Sequence, residues 1–481
     1  MPAANQNQFS LVYPATEEPL STLYEADAGE VAVAVETAKT TFESGIWSRA
    51  SVEERKSVLQ RISQLIHERK QQLAEYEVAH TGAPITQALG RHVPRAALNF
   101  EFFAEYISQA TNPAFDQNPD YLTYVRRDPV GVAGLIAPWN APLALATMKV
   151  AGAIAFGNSC VLKPSELTPL SFVPLMQILE DAGLPPGVVN LVNGQGPVTG
   201  QALIEHPDTG VIAFTGGTAT GRIIGAAAGK GIKKMVTELG GKSANIIFAD
   251  ADFERALDAA LIAIFSNNGQ QCLAGSRILV HRQIADRFID AFVNRVQALQ
   301  LGDPYDHATE IGPLISAAQM ERVLAYSEQA RETSGIEILA GGRKATQFEK
   351  GFYVEPTVVT AADNSQSMCQ EEIFGPFATI LTFDDAEEAF NIANDSEFGL
   401  VSYVWTQNVQ TMMTATDRLR TGIVWVNTPL TREIRAPFGG YKHSGVGRDG
   451  GDWSRALFTE EKTVTIPTRE FPIAKLGVPS G

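Results

Sequence analysis

The sequence predicts an α/β fold with more than one domain, and three observations support this prediction. A chain of 481 residues exceeds what one hydrophobic core usually serves, so two or three domains are expected. From residue 130 onward, short apolar stretches alternate with longer helical ones, which is typical of parallel β-α-β units. The alternation resumes after Cys272, so we expect a second α/β domain that meets the first near residues 238–241.

The first part of the chain is predicted to be helical. Apolar residues recur at helical spacing over residues 28–44 and 52–79, and Ser51, followed by two acidic residues, suits a helix N-terminus. A further helix, rich in aromatic residues, is expected over residues 95–107.

An extended arm is predicted next. Residues 112–120 are rich in Pro, Asn and Asp and interrupt the helical pattern, whereas residues 121–127 alternate between apolar and polar like a half-exposed strand. Near the other end of the chain, residues 462–469 suit a strand and residues 470–481 a loose end.

The α/β part is predicted to alternate strands with helices. The expected strands are 132–137, 159–162, 188–192, 211–214, 277–281, 336–339, 378–383, 402–405 and 423–426. The expected helices include 143–156, 170–182 and an apolar run at 259–265. In an open parallel sheet, ligands bind beyond the carboxyl ends of the strands, so the residues that follow each strand are the candidates for a site.

Charge and cysteine content exclude several classes of protein. A formal net charge of -16 argues against a nucleic-acid or anionic-membrane surface. The three cysteines, Cys160, Cys272 and Cys369, form neither a disulfide framework nor a metal-ligand spacing, which fits a reducing compartment. The first ten residues lack the pattern of a secretory leader, and no window reaches the roughly 18 apolar residues of a membrane span. We therefore expect a cytoplasmic protein without a membrane or nucleic-acid partner.

A cysteine placed just after a broken helix is the first candidate for chemistry. The apolar run at 259–265 breaks at Gly269, and Cys272 follows on a turn where backbone amides can face the sulfur. Such a position suits a nucleophile. A small buried apolar residue is the alternative.

Two further residues could assist that thiol. Asn140 follows the strand 132–137 and could donate to an oxyanion, a contribution of roughly 3 kcal/mol, or cap the next helix through an Asx turn. Glu238, which precedes a pair of glycines, could be a general base or a capping acid at the domain joint. Lys149 is a polar residue in an apolar helix, and it could equally lie at the surface.

Three other stretches suit a dinucleotide, and each has an ordinary structural alternative. Lys163 and Glu166 could grip a ribose, and the carboxylate would repel a 2′-phosphate, which favours NAD over NADP; an ordinary loop is the alternative. Residues 214–221 place glycines between a strand and a helix, although their Gly-x-Thr-x-x-Gly spacing is not the standard one. Glu372 and Phe374 would share one side of an extended backbone, where they could hold a ribose and a flat ring, or simply be solvated.

Together these stretches resemble the NAD(P)-dependent aldehyde dehydrogenase superfamily over nearly the whole chain. The motifs that carry the resemblance are Ala137-Pro138-Trp139-Asn140, Leu162-Lys163-Pro164-Ser165-Glu166, Phe214-Thr215-Gly216, Glu238-Leu239-Gly240-Gly241-Lys242, Gly269-Gln270-Gln271-Cys272, Glu372-Ile373-Phe374-Gly375-Pro376 and Pro437-Phe438-Gly439-Gly440. The resemblance implies a Rossmann-like cofactor domain (1–110 and 130–240), an α/β catalytic domain (241–440) and a small β oligomerisation arm with a tail (111–129 and 456–481). It also implies a homodimer or homotetramer.

The same resemblance implies a mechanism and a set of cofactor contacts. Cys272 attacks the aldehyde, Asn140 and the Cys272 N–H hold the oxyanion, a hydride passes to the nicotinamide, and Glu238 activates the water that releases the acid. Lys149 is implied to belong to a proton path behind Glu238, and no metal is required. The residues implied to contact the cofactor are Trp139, Lys163, Glu166, Gly196, Phe214, Thr215, Gly216, Gly217, Thr220, Leu239, Gln319, Glu372 and Phe374. Gly217 stands where many relatives carry a serine, which puts that contact with the pyrophosphate in doubt.

Two arginines bear on the substrate. Arg95 and Arg435 resemble the arginines that meet substrate carboxylates in the hydroxymuconic-semialdehyde branch, although both could be structural ion-pair partners. The expected activity is the NAD-dependent oxidation of a carboxylated semialdehyde or of an aromatic aldehyde. The residues that could line an aromatic pocket are Phe100, Phe102, Phe103 and Trp453. A CoA-acylating enzyme and a non-catalytic cofactor-binding relative are the alternatives.

Overall fold

The computed structural model describes residues 7–470 and 473–477. Residues 1–6, 471–472 and 478–481 lie outside it, and so do the parts of the predicted cofactor domain and tail that fall on them. Two large sheets, one of six strands and one of seven, form the centre of the described structure.

The six-stranded sheet brings the carboxyl ends of its parallel strands to one edge. Its strands are, in spatial order, Gly445–Val446, Lys234–Glu238, Thr209–Thr215, Val132–Ile136, Ser159–Lys163 and Val189–Leu191. All neighbours are parallel except the first pair. The chain progresses in opposite directions on the two sides of Val132–Ile136, which makes this strand a topological switch point, where α/β proteins bind ligands.

The seven-stranded sheet is built from residues 244–426, and the loop of Cys272 precedes its strand Arg277–His281. Its strands are, in spatial order, Ile336–Ala340, Thr357–Ala361, Phe377–Phe383, Arg277–His281, Ala244–Ile247, Val401–Trp405 and Ile423–Val426. Only the first strand pairs antiparallel. The sequence prediction missed the strands at 244–247 and 357–361.

Helices cover the sheets. They are Ala28–Ser44, Val52–Glu68, Lys70–Thr81, Ile85–Gln87, Val93–Gln109, Pro142–Ala155, Phe172–Asp181, Gln201–Glu205, Thr218–Gly231, Phe253–Phe265, Ala285–Gln297, Ala317–Glu332, Ser367–Gln370, Ala386–Asn394, Val409–Arg418 and Gly451–Phe458. Short helical turns of other types occur at Ala88–His92, Gly196–Gly200, Ser266–Gly269 and Arg282–Ile284. Within the described part of the chain, no helix is both long and apolar enough to cross a membrane.

One predicted helix is two helices. The expected helix 52–79 ends at Glu68 and a second begins at Lys70, because Arg69 leaves helical geometry with φ -102° and ψ 20°. The guanidinium of Arg69 pairs with Asp181 on a neighbouring helix. Apolar residues recur on both sides of the break, so the periodicity gave no sign of it.

The predicted arm is a small antiparallel sheet. Tyr121–Pro129 pairs with Thr459–Pro467 along its whole length and with the short strand Ala114–Phe115. The tail strand therefore begins and ends earlier than the predicted 462–469, and the short strand lies in the segment that was expected to be irregular. Two further two-stranded sheets pair Gln8–Val12 with Pro19–Tyr24 and Phe398–Gly399 with Tyr441–Lys442.

Candidate active site

The structure brings the three predicted catalytic residues to one place. Asn140 follows the switch-point strand, and its side-chain amide donates to the backbone oxygen of Gln270 at 3.0 Å. Gln270 lies two residues before Cys272 in the sequence. Glu238 ends the strand that pairs with Thr209–Thr215, and its carboxylate acts electrostatically on the Cys272 thiol. The thiol, the carboxylate and the amide thus lie in one part of the structure.

Burial keeps the Cys272 thiol protonated at rest. Removal from water raises the pKa of Cys272 to about 12, and the nearby carboxylates of Glu372 and Glu238 act in the same direction. The backbone amides of Cys272 and Leu273 act in the opposite direction, because they face the sulfur and favour the thiolate. The sulfur therefore becomes a nucleophile only when a base or a bound cation offsets the carboxylates.

Glu238 is a buried carboxylate without a hydrogen-bond partner. It is only 4% exposed, and neither of its side-chain oxygens is bonded to another described residue. Burial raises the pKa of Glu238 well above that of an ordinary carboxyl group, and Asp449 raises it further. Lys149, Arg448 and Arg432 act in the opposite direction. A carboxylate with a raised pKa is a stronger base than an ordinary one, which suits a general base.

Lys149 and Asp449 both lie close to Glu238. Lys149 is only 1% exposed, so the surface interpretation of this residue is wrong. Its ammonium lies 3.3 Å from a side-chain oxygen of Asp449, and Asp449 exchanges two backbone hydrogen bonds with Phe438. A Cβ atom on Gly439 would lie 2.8 Å from a carboxylate oxygen of Glu238, so only glycine leaves the carboxylate its space. The sequence analysis did not identify Asp449. Its position between glycines in the sequence gives no indication of a functional role.

The predicted ribose-binding pair lies at the end of the next strand. Lys163 is almost fully buried, donates to the backbone oxygen of Pro164 at 2.9 Å and lies 3.7 Å from a carboxylate oxygen of Glu166. The Glu166 side chain is partly exposed and free to accept further hydrogen bonds. Gly196 is exposed and begins the helical turn Gly196–Gly200, whose last residue lies close to the Lys163 side chain.

The glycine-rich turn ends at an open helix N-terminus. Gly217 caps the helix Thr218–Gly231 without a side-chain hydrogen bond, so the amides of the first turn, where Thr220 lies exposed, remain available to an anion. The backbone amide of Gly216 donates to the backbone oxygen of Glu238 at 3.0 Å, which connects this turn to the strand end that carries Glu238. The remaining predicted contacts at these strand ends, Phe214, Thr215 and Leu239, are buried.

Glu372 and Phe374 do not share an extended backbone as predicted. Phe374 has φ 64°, so the chain turns there instead of continuing as a strand, and the ring meets Trp139 edge-on at 5.0 Å. Glu372 accepts from the backbone amide of Gly241 at 2.9 Å, and burial raises the pKa of Glu372 to about 7. The Gln319 amide donates to the backbone oxygens of residues 373 and 374, so Gln319 supports this turn from behind.

Arg435 does not face the site. Its guanidinium is exposed and donates twice to the carboxylate of Glu433, at 2.8 and 2.7 Å. The structure therefore corrects the prediction that Arg435 meets the substrate and favours the structural ion pair. Three residues earlier, Arg432 lies over the ring of Phe438 at 4.6 Å, and burial lowers the pKa of Arg432 to about 10. The sequence alone could not tell which of the two arginines points inward.

Arg91 and Arg95 join Arg432 as partly buried arginines near the site. Burial lowers the pKa of Arg95 to about 10, and the positive charge of Arg432 contributes, so these two cations are close together. Burial also lowers the pKa of Arg91, which is close to Tyr403. The Tyr403 hydroxyl donates to the backbone oxygen of the residue after Cys272. Sequence reasoning missed Arg91 because it lies on a helical turn that precedes the predicted helix.

The expected aromatic pocket is absent from the described structure. Phe100 and Phe103 are fully buried in the hydrophobic core and Phe102 is nearly so, while Trp453 is exposed. These rings are therefore core or surface residues.

Comparison with known proteins identifies the family. The model of the aldehyde dehydrogenase family matches residues 2–464. The 5-carboxymethyl-2-hydroxymuconate semialdehyde dehydrogenase of Escherichia coli is 42% identical over 456 residues, which cover 94% of this chain and 96% of that protein. The 2-hydroxymuconic semialdehyde dehydrogenase of Pseudomonas sp. (strain CF600) is 39% identical over 471 residues, 96% of this chain and 97% of that one.

A solved structure agrees with these sequence matches. The NAD+ complex of aldehyde dehydrogenase from Bacillus cereus superimposes with a TM-score of 0.94 at 40% identity and covers 96% of this chain and 94% of that one. The predicted family and fold class are thereby confirmed. The chain belongs to the aldehyde dehydrogenase family, a family of oxidoreductases, and has the fold of that family.

Proposed function

We propose that the protein oxidises an aldehyde to the carboxylic acid with NAD, through a thioester on Cys272. The observation that carries the proposal is the arrangement of the Cys272 thiol, the unpartnered Glu238 carboxylate and the Asn140 amide in one part of the structure. A purified-enzyme screen of simple, carboxylated and aromatic aldehydes, with NAD and NADP in parallel, tests it. No aldehyde-dependent reduction of either cofactor would contradict it.

In the first step a base takes the proton of the Cys272 thiol, and the thiolate attacks the aldehyde carbon, which turns the carbonyl oxygen into an oxyanion. One N–H of the Asn140 amide is held by Gln270, and the second is left for that oxygen. The backbone amide of Cys272 is the other candidate donor. Two donors fixed before the reaction lower the barrier without reorganisation.

The second step is the hydrolysis of the thioester. Glu238, with its raised pKa, takes a proton from a water molecule that attacks the acyl carbon, so the acid leaves and the thiol is restored. Lys149 and Asp449 form a buried pair through which that proton can leave toward solvent. A CoA-acylating enzyme would transfer the acyl group to CoA instead, and product analysis with and without CoA separates the two activities.

The residues at the strand ends fit NAD. The open helix N-terminus at Gly217 suits a pyrophosphate, and the pair of Lys163 and Glu166 suits a ribose with both hydroxyls free. When bound, NAD supplies the hydride acceptor. A 2′-phosphate would meet the carboxylate of Glu166, so we propose that NAD is preferred over NADP. The ratio of kcat/KM values for the two cofactors tests this preference.

The partly buried arginines support a carboxylated semialdehyde as substrate. Arg432 is close to Arg95 and to Glu238, and an anion between the two arginines would offset their mutual repulsion. Arg91 adds a third cation near the Cys272 loop. The relatives from Escherichia coli and Pseudomonas that carry semialdehyde dehydrogenase names agree with this choice.

Replacing Arg432 is expected to discriminate between substrates. Arg432→Gln should lower kcat/KM for a carboxylated semialdehyde by roughly ten- to a hundredfold, as expected for the loss of one hydrogen bond between charged groups. The value for an uncharged aldehyde of equal length should change little. Arg435→Gln is the matched control and should change neither, because Arg435 is exposed and pairs with Glu433. Equal losses for the charged and uncharged aldehydes would contradict a role in carboxylate binding.

The release of the acid is expected to accelerate as the pH rises. Burial favours the neutral form of Glu238, and only the ionised form can accept a proton from water, so the rate should increase through a pKa above the ordinary carboxyl range. The measurement is the decay of a preformed acyl-enzyme at a series of pH values. A rate independent of pH from 5 upward would show that Glu238 is ionised at lower pH or is not the base.

The quaternary structure and the domain division remain part of the proposal. The strands of the six-stranded sheet come from residues 130–240 together with 445–446, and those of the seven-stranded sheet come from 241–440, as expected for a cofactor and a catalytic domain.

The arm exposes Phe115, Leu122 and Ile466, which suits a homodimer or homotetramer. All three cysteines are free, in keeping with a cytoplasmic location. Sedimentation velocity would determine the number of subunits.

A further inference from the structure

Two consecutive asparagines adopt a left-handed backbone conformation just before Cys272. Asn267 has φ 56° and ψ 35°, and Asn268 has φ 56° and ψ 29°. Gly269 continues the same turn with φ 72°. Residues with a side chain rarely adopt this conformation, and asparagine tolerates it better than most. Both asparagines are buried, at 4% and 0% exposure, so their side chains must find partners inside the protein.

The Asn267 side chain connects the oxyanion donor to the cysteine loop. Its amide nitrogen donates to the backbone oxygen of Asn140 at 2.6 Å and to the backbone oxygen of Gln270 at 2.9 Å. Because backbone oxygens only accept, these two partners fix which end of the Asn267 amide is nitrogen. The backbone amide of Asn267 donates to Gln87 at 2.8 Å, which anchors the turn from the other side.

Asn140 and Asn267 share one acceptor. The Asn140 side chain donates to the same Gln270 oxygen, at 3.0 Å, that accepts from Asn267. Asn267 thus holds Asn140 at its backbone and also holds the oxygen that orients the Asn140 side chain. Removal of the Asn267 amide would keep the bond from the Asn140 side chain to Gln270 but remove the bonds that hold the Asn140 backbone and the Gln270 oxygen. The second N–H of Asn140 would then be oriented less firmly.

Asn268 has a different set of partners. Its side-chain oxygen accepts from the backbone amide of Gly312 at 2.7 Å, and its nitrogen donates to the backbone oxygens of Gly82 and Pro313 at 3.0 and 2.8 Å. None of these contacts involves Asn140 or Gln270. Asn268 therefore shares the backbone geometry and the burial of Asn267 but anchors the turn to another part of the protein.

We propose that Asn267 is a positioning residue for the oxidation step, because it sets the direction of the Asn140 amide toward the oxygen of the substrate. The proposal rests on the role of Asn140 as oxyanion donor in the proposed function. It assigns Asn268 a purely structural part in the same turn.

A double-mutant cycle tests the proposal. Asn267→Gly and Asn268→Gly are each made in the wild-type and in the Asn140→Ala enzyme, since glycine keeps the left-handed turn without strain. Asn267→Gly should lower kcat/KM roughly tenfold or more in the wild type and less than about twofold in Asn140→Ala, because its effect passes through Asn140. Asn268→Gly should lower the melting temperature and change kcat/KM by the same factor in both backgrounds.

Two further readouts separate positioning from general damage. The rate of Cys272 alkylation by iodoacetamide needs no oxyanion donor, so Asn267→Gly should leave it within about twofold of the wild type. If Asn267→Gly is too unstable to purify, Asn267→Asp, which has nearly the same shape and removes the same two donors, takes its place in the cycle.

Two different outcomes would overturn the role of Asn267 and the role of Asn140, respectively. Equal losses from Asn267→Gly in both backgrounds would overturn the proposal, because they would show that Asn267 acts independently of Asn140. A fully active Asn140→Ala enzyme would instead overturn the oxyanion role in the proposed function, and the inference about Asn267 with it.

Discussion

Cys272→Ala is expected to abolish aldehyde oxidation while leaving cofactor binding intact. The variant lacks the thiol on which the Glu238 carboxylate acts and whose loop binds the Asn140 amide, so no thioester can form there. Loss of a nucleophile of this kind lowers kcat by roughly three orders of magnitude or more. The measurement is aldehyde-dependent NADH formation, with NAD affinity determined in parallel by fluorescence titration.

The other two cysteines provide the control. Cys160 and Cys369 are fully buried, and burial raises the pKa of both thiols, so neither should react with an aldehyde. Cys369→Ala should therefore keep most of its activity and lose only some thermal stability. If Cys272→Ala retained activity and Cys369→Ala lost it, the nucleophile would have been assigned to the wrong sulfur.

Glu238→Gln is expected to separate the two halves of the reaction. Glutamine has nearly the same shape but cannot accept a proton, so oxidation should proceed once and hydrolysis should stall. Mixing with aldehyde and NAD should give one equivalent of NADH per active site, followed by a steady state slower by roughly a hundred- to ten-thousandfold. Stopped-flow absorbance resolves the two phases.

An exposed acid is the control for this second experiment. Glu433→Gln removes a carboxylate that pairs with Arg435 at the surface, and it should leave both phases unchanged. Steady-state turnover at the wild-type rate in Glu238→Gln would show that another group activates the water. Loss of the first NADH equivalent would show that Glu238 is needed before hydrolysis, as the base for the Cys272 thiol.

The electrostatics of the site argue against a non-catalytic relative. A buried carboxylate without hydrogen bonds destabilises the folded protein, and Glu238 has no described partner to offset that cost. The space left by Gly439 preserves the position of Glu238. A protein that only bound the cofactor would gain nothing from either feature, whereas a hydrolytic enzyme needs both.

Strand patterns predicted the fold, because each buried strand of a parallel sheet is a short apolar run with a helix after it. The strands at 277–281 and 423–426 and the helix at 28–44 have the predicted bounds. The break at Arg69 escaped prediction because the apolar positions continue across it. The strand at 244–247 was also missed, although the strand at 423–426 is equally short and was predicted.

The site could be predicted only in part. Motif residues at strand ends, such as Asn140 and Glu238, meet because the carboxyl ends of parallel strands share one edge of the sheet. The direction of a side chain in a loop has no comparable rule, so the prediction named Arg435, although Arg432 is the less exposed of the two arginines. The left-handed backbone at Phe374 likewise had no local signal, since positive φ is uncommon for a residue with a large ring.

The mass of the acyl-enzyme tests directly whether the thioester forms on Cys272. Glu238→Gln is mixed with NAD and aldehyde, quenched in acid and digested, and the cysteine-containing peptides are analysed by mass spectrometry. The proposed mechanism gives one acyl group per chain, attached to Cys272 and formed together with one equivalent of NADH. NADH release with an unmodified Cys272, or an acyl group on Cys160 or Cys369, would contradict it.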